Sequence, residues 1–263
     1  MLYFGTSDTG RKRTTNQDRF DTVELRKDIL ISVVCDGMGG AAGGNIAAEI
    51  ASEVFCGYIT RSLPRIEQVL SETAVSCEEV VSDITQVMVE AAAEANTAVY
   101  DMAHDNAELT GMGTTLVSAL IYGNIAYVVN IGDSRLYFVD DSGIKKITKD
   151  HSFVQYLVDL GQLTPEEAAK SPQRNVITRA IGSDKTVETD TFNVSISGGE
   201  ISYVLLCTDG LTNYVDVEEI HRVLISGSCE DDITDLETKV TSLIDLANKG
   251  GGGDNITALV IKV

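Results

Sequence analysis

The stretch Ile29-Leu30-Ile31-Ser32-Val33-Val34-Cys35-Asp36-Gly37-Met38-Gly39-Gly40 decides how this sequence is read. Residues 29–35 are short, apolar and rich in β-branched side chains, which suits a buried strand. The run stops at a single aspartate, and a glycine-rich turn follows. From Asn45 the period changes. Ile46, Ile50, Val54 and Tyr58 recur at helical steps, and Asn45 stands where an N-cap is expected.

The same signature returns far along the chain. Tyr203 to Thr208 is apolar and ends in Asp209-Gly210, while Gly253-Asp254-Asn255 precedes a last strand over Ile256 to Val263. If that last strand runs antiparallel to the other two, Asp36, Asp209 and Asp254 meet at one end of a sheet. Three converging carboxylates repel each other and stay ionised only when a cation neutralises them. An all-oxygen donor set without histidine or thiolate selects Mg²⁺ or Mn²⁺ over zinc or copper. A single Asp-Gly pair is an ordinary turn; the set of three carries the metal reading. Glycine beside each aspartate (Gly37, Gly210, Gly253) lets a carbonyl or a ligand approach closely.

A rival reading uses the same residues. Gly37 to Ala42 fits G-x-G-x-x-A between a strand and a helix, the dinucleotide-binding fingerprint. Asp36 would set a negative charge against the pyrophosphate, and the chain lacks the repeated parallel crossovers that fold needs. No EF-hand loop, P-loop or zinc motif is present.

The rest of the chain reads as blocks. A long helix is expected from Glu78 to Met102. Thr114 to Tyr122 and Ile125 to Ile131 form a hairpin across Gly123-Asn124, and Arg135 to Val139 pairs with Ile144 to Thr148. Residues 150–185 carry a short helix at Phe153 to Leu160 and another opening at Thr164-Pro165-Glu166-Glu167. This segment reads as a surface insertion over a sheet edge. A last helix spans Asp232 to Asn248 and is broken by Gly250 to Gly253. Antiparallel hairpins between helical blocks argue an α+β fold. With no linker or repeat, and a strand at its end, the chain reads as one domain, 1–263.

The 263 residues are 43% hydrophobic and carry 40 acidic against 20 basic side chains, a formal charge of -20. That field disfavours nucleic acid and anionic membrane, both of which need a basic footprint. It would also repel a phosphorylated substrate unless bound cations invert it locally. No apolar run is long enough to cross a membrane, and the N-terminus is no signal peptide. Cys35, Cys56, Cys77, Cys207 and Cys229 have neither metal-finger nor redox spacing. A soluble, cytoplasmic, monomeric protein is therefore expected.

In order, Arg13-Thr14-Thr15-Asn16-Gln17-Asp18, Asp36-Gly37-Met38-Gly39-Gly40, Gly111-Met112-Gly113-Thr114-Thr115, Ile131-Gly132-Asp133-Ser134-Arg135, Thr148-Lys149-Asp150-His151-Ser152, Ile177-Thr178-Arg179-Ala180-Ile181-Gly182, Thr208-Asp209-Gly210-Leu211 and Gly253-Asp254-Asn255 resemble the motifs of the type 2C metal-dependent protein phosphatases, specifically the compact bacterial serine/threonine enzymes. The resemblance covers the whole chain. It implies a four-layer α-β-β-α sandwich of two antiparallel sheets, with a flap at about 150–185 and two Mn²⁺ or Mg²⁺ ions at one end. In that picture Asp36 bridges the metals, the Gly37 carbonyl binds one, and Asp209 and Asp254 complete the other. Asp18 holds metal-bound waters, and Arg13 binds the substrate phosphate through its planar fork. A hydroxide bridging the two ions attacks phosphorus in line, with no phosphoenzyme.

The resemblance also implies phosphorylated proteins as partners, the targets of a cognate serine/threonine kinase; the acidic surface favours basic substrate flanks. Some relatives carry histidine where this chain has Met38 or Ala41, so the acid that protonates the leaving group is open. His104, His151 and His221 are the only histidines, and His151 reads as structural. Many relatives bind a third metal through an acid just before Gly-Met-Gly-Thr; here Thr110 precedes Gly111 and Glu108 lies further back. A third metal on Asp209 therefore lacks an evident second ligand. Gln17 stands where some relatives have glutamate, which weakens the expected water contacts there. A non-catalytic phosphoprotein-binding module on this fold would lose metal aspartates, and all three stand here.

Overall fold

The computed structural model describes residues 1–71, 77–196, 201–226 and 232–263. Cys229 and the side chains of Ala41 and Cys77 lie outside the described residues. In chain order the elements are β1 (Leu2–Asp8), β2 (Asp18–Arg26), β3 (Ile29–Met38), α1 (Gly40–Arg61), α2 (Leu63–Ser71), α3 (Cys77–Asp105), β4 (Gly113–Thr114), β5 (Leu116–Tyr122), β6 (Ile125–Ile131), β7 (Arg135–Asp140), β8 (Gly143–Lys146), α4 (Phe153–Asp159), α5 (Pro165–Lys170), β9 (Asp190–Ser195), β10 (Ser202–Cys207), α6 (Asp209–Thr212), α7 (Val217–Ile225), α8 (Ile233–Gly250) and β11 (Ile256–Lys262).

Two antiparallel sheets stack face to face. One is ordered β1-β11-β10-β7-β8; the other is ordered β2-β3-β5-β6-β9, with β4 on β3. The long apolar runs are explained by burial on both faces. Along β3, Ile29, Ile31, Val33 and Cys35 pack against α1 and α3, while Leu30 and Val34 point to the other sheet. Along β10, Tyr203, Leu205 and Cys207 face α7 and α8, while Val204 and Leu206 face β3 and β5. Each fully buried Leu, Ile or Val contributes about 1.5–3 kcal/mol, so both strands are held from two sides. The layers are helix, sheet, sheet, helix, as the sequence led us to expect.

Several boundaries move. The helix after β3 begins at Gly40, not Asn45. Gly39 adopts a left-handed conformation (φ 116°) that turns the strand directly into the helix. Asn45 lies inside α1, where its side-chain oxygen accepts from Arg19. Asp36 is not a strand end: β3 continues through it, and Gly37 and Met38 pair with Thr114 and Gly113 of β4. The strand expected from Thr114 is split, because Thr115 leaves the ladder. β8 stops at Lys146, since Thr148 turns its hydroxyl to the Leu136 amide. The helix opening at Thr164 has the full reciprocal cap with Glu167. α2, α6, α7 and β9 were not expected from the sequence.

The segment 150–189 lies between β8 and β9 and carries α4 and α5. Its base is stapled to the sheets: Thr114 and Ile181 exchange backbone bonds at 2.9 and 3.1 Å, and the His151 amide donates to the Gly132 carbonyl at 2.9 Å.

Candidate metal centre

β3 and β10 finish, and β2 and β11 begin, at the same end of the sandwich. A cavity of about 410 Å³ opens there, lined among others by Asp36, Asp133, Asp209, Asp254 and Arg13. The three aspartates read from the sequence therefore line one cavity. Gly37 also lines the cavity, and a Cβ there would run into the Gly44 carbonyl, so only glycine allows this approach.

The backbone of Asp36 is clamped by the Gly-Thr-Thr motif. Its carbonyl accepts from the Thr115 amide and the Thr114 hydroxyl, both at 2.9 Å, and its amide donates to Thr115 Oγ1 at 2.9 Å. Thr115 is in turn bonded to Ser134 at 2.7 Å. The Asp36 carboxylate itself is left free to face the cavity. Burial, then the charges of Asp18 and Asp209, push its carboxyl well above the usual range.

Asp209 opens the single turn α6. Asn213 donates to its Oδ2 at 2.9 Å, while Oδ1 is buried without a hydrogen-bond partner. Burial first, and then Asp254, raise its pKa. Asp254 is gripped by Arg13, with Nε at 2.8 Å from Oδ1 and Nη2 at 2.9 Å from Oδ2. The residue expected to bind phosphate thus holds a residue expected to bind metal, and Arg13 is raised chiefly by that bond.

Asp18 stands opposite Asp36 in the β2–β3 register and is buried behind the cavity. Thr257 and Thr208 donate to its Oδ2 at 2.7 and 2.9 Å, whereas Oδ1 has no partner. Burial lifts its pKa to about 7, against the pull of the two hydroxyls. Gln17 also lines the cavity, and its amide donates to the Gly40 carbonyl at 2.9 Å, a bond glutamate could not make. Asn255 pins the basic loop. It donates to the carbonyls of Thr9 and Thr15, both at 2.9 Å, and accepts from the Gln17 amide at 2.8 Å. Arg11 and Lys12 are exposed on that loop.

Asp133 is the site residue to which the sequence reading gave no role. It is 7% exposed, lines the cavity, and is pushed up to about 8 by burial and then by Asp209. A signal was there: β6 is an apolar strand that runs straight into Gly132-Asp133. Glu108, considered above as a donor for a third metal, is exposed and lines no part of the cavity. His151 is structural. Its Nδ1 accepts from the Gly132 amide at 3.0 Å and its Nε2 faces Asp190 at 3.1 Å.

Among the described residues, no three His, Cys, Asp or Glu side chains are gathered in ready metal-binding geometry. Both oxygens of Asp254 are bonded by Arg13 instead. The residues nonetheless fit a divalent cation. The donors are all oxygen, two buried carboxylate oxygens have no partner, and burial raises three of the facing acids.

A model of the protein phosphatase 2C family matches residues 5–236. The chain belongs to that family. It is 33% identical over 258 residues to "Serine/threonine phosphatase stp" of Listeria monocytogenes serovar 1/2a, covering 97% of this chain and 93% of that protein. It is 34% identical over 258 residues to "Protein phosphatase PhpP" of Streptococcus pneumoniae serotype 2, covering 98% and 95%. The fold superposes on the crystal structure of the serine/threonine phosphatase Stp1 from Staphylococcus aureus with a TM-score of 0.83, at 33% identity and covering 100% of this chain and 95% of that one.

Proposed function

We propose that this protein is a metal-dependent protein-serine/threonine phosphatase, one catalytic domain over residues 1–263 with a flap at about 150–185. The observation that carries the reading is the convergence of Asp36, Asp133, Asp209 and Asp254 on one cavity whose sole lining cation among the described residues is Arg13. Asp36, Asp209 and Asp254, with the Gly37 carbonyl, would hold two Mn²⁺ or Mg²⁺ ions; Asp133 and Asp209 would share a third. When bound, such ions supply positive charge for the phosphoryl oxygens and an acidified water for in-line attack.

The chain's own residues do the rest. Thr114, Thr115 and Ser134 fix the backbone of Asp36, so its carboxylate is presented in one orientation. Asp18 keeps one buried oxygen without a partner, which would accept from an ordered water behind the cavity. Arg13 can turn from Asp254 to a phosphate, which its fork also fits. The substrates would be phosphorylated proteins made by a serine/threonine kinase. Among the described residues no helix is long and apolar enough to cross a membrane. The cysteines Cys35, Cys56 and Cys207 are free and buried, which suits a reducing cytoplasm.

Hydrolysis of p-nitrophenyl phosphate should vanish with EDTA and return with Mn²⁺. Asp36→Asn and Asp209→Asn should each lower kcat by about a hundredfold or more, as loss of an electrostatic stabiliser does. Full activity in either variant would sink the assignment.

A further inference from the structure

A second cavity, about 670 Å³, adjoins the metal centre and shares Asp133 and Asp209 with it. Its floor is Arg135 and Lys146, and its outer wall, from α5 and the turn after it, carries Lys170 and Arg174. Four of the chain's 20 cationic side chains thus line one cavity of a molecule with a net charge of -20. Three carboxylates, Asp133, Asp150 and Asp209, line the same cavity, so its cations outnumber its acids by one, and two of those acids face the metal centre. Asp150 is bonded by Arg135 Nη2 and by Lys146 Nζ, both at 2.7 Å, so one carboxylate serves two cations. These groups are largely buried, at 26% and 32% exposed for Arg135 and Lys146 and 9% for Asp150, so charges there are poorly screened. On the outer wall, Lys170 and Arg174 form no salt bridge or side-chain hydrogen bond among the described residues. On the opposite side of the metal centre the balance differs. There Arg179 is already paired with Asp190 at 2.7 Å and Glu188 at 3.2 Å, and Asp184 adds a further negative charge.

We infer that the flap-side cavity is a substrate subsite for an anionic side chain a few residues from the phosphorylated one. The anion enters between the floor and the flap, where Lys170 and Arg174 supply the donors that the floor cations, held by Asp150, do not. This inference rests on the phosphatase reading and deepens it. It also reverses, for one flank, the basic preference that net charge alone suggests: the field of the whole chain governs approach, and this cavity governs docking.

The test is a set of phosphothreonine peptides with Glu, phosphoserine or Lys at each position up to about four residues either side. The readout is the ratio of kcat/KM for the anionic-flanked to the Lys-flanked peptide, each pair measured on the same Mn²⁺-loaded enzyme. At one flank the wild-type ratio should be about tenfold or more. Lys170→Glu with Arg174→Glu should collapse or invert that ratio, while Asp184→Lys on the opposite side should leave it standing. The Glu and phosphoserine arms separate a carboxylate from a second phosphate as the preferred anion. A ratio near one at every position, or one that survives the double charge reversal, overturns the inference while leaving the phosphatase reading intact. A protein that hydrolyses neither the peptides nor p-nitrophenyl phosphate overturns both.

Discussion

Arg13 and Asp254 are joined by two bonds, and each has a further role in the proposed mechanism. Arg13 is about half exposed, so the pair is worth at most about 1 kcal/mol. Arg13→Ala should therefore act in opposite directions on two constants. With its competitor removed, Asp254 should take Mn²⁺ up to about fivefold more tightly, by titration calorimetry. The KM for a phosphopeptide should rise about tenfold or more, because a charge-assisted hydrogen bond to phosphate contributes about 1.5–3 kcal/mol. A variant in which both constants move the same way would refute this division of labour. The aspartates that end apolar runs, Asp36 and Asp209, were legible because an apolar run that stops at a charge is conspicuous. Asp133 was less so, because a glycine separates it from β6 and the next strand starts two residues later. The Arg13–Asp254 grip had no signal at all: 241 residues separate the two, and only the fold brings them together.

At the scale of elements, strong periodicity was readable and geometry set by single glycines was not. β10, β6 and the hairpin at Gly123 were found because their residues alternate or run apolar between turn signals. The true start of α1 was hidden in the left-handed Gly39, which periodicity does not register. β9 was missed because it is an edge strand whose residues are only half-buried on alternate positions, and α2 and α7 because each presents few buried side chains. The flap was visible as a change of pattern, yet its anchors were not. One is Asn96 on α3, 1% exposed. Its Oδ1 accepts from the Gly182 amide at 2.8 Å, and its Nδ2 donates to the carbonyls of Asp184 and Lys185 at 3.0 and 3.2 Å. Asn96→Ala leaves the buried Gly182 amide unpaired, which costs about 1–3 kcal/mol. Urea denaturation should show that loss, and hydrogen exchange at Gly182 should speed up. Unchanged exchange would mean that the flap base is held elsewhere.

For the molecule as a whole, the acids of the cavity set how stability responds to pH. Asp18 and Asp133 are raised to about 7 and about 8 in the folded, metal-free protein, from ordinary values near 3.8. Between those limits the folded state keeps protons that the unfolded state has released, so stability falls as pH rises from about 4 to about 8. In EDTA, Tm should therefore be lower at pH 8 than at pH 5.5, and Mn²⁺ should restore more of it at pH 8 than at pH 5.5. A metal-free Tm that climbs across this range would contradict the burial of these acids. The sheet order carries a consequence of another kind. β11 lies inside its sheet between β1 and β10, and Leu2 is opposite Lys262. The loop that presents Arg13 is tied down by Asn255, at the foot of that same strand. During synthesis at about 5–20 residues per second, more than 200 residues emerge before the strand that closes the sheet exists. A nascent chain on the ribosome therefore has no assembled catalytic centre until residues 254–262 have emerged, so unfinished chains cannot strip phosphate from their neighbours.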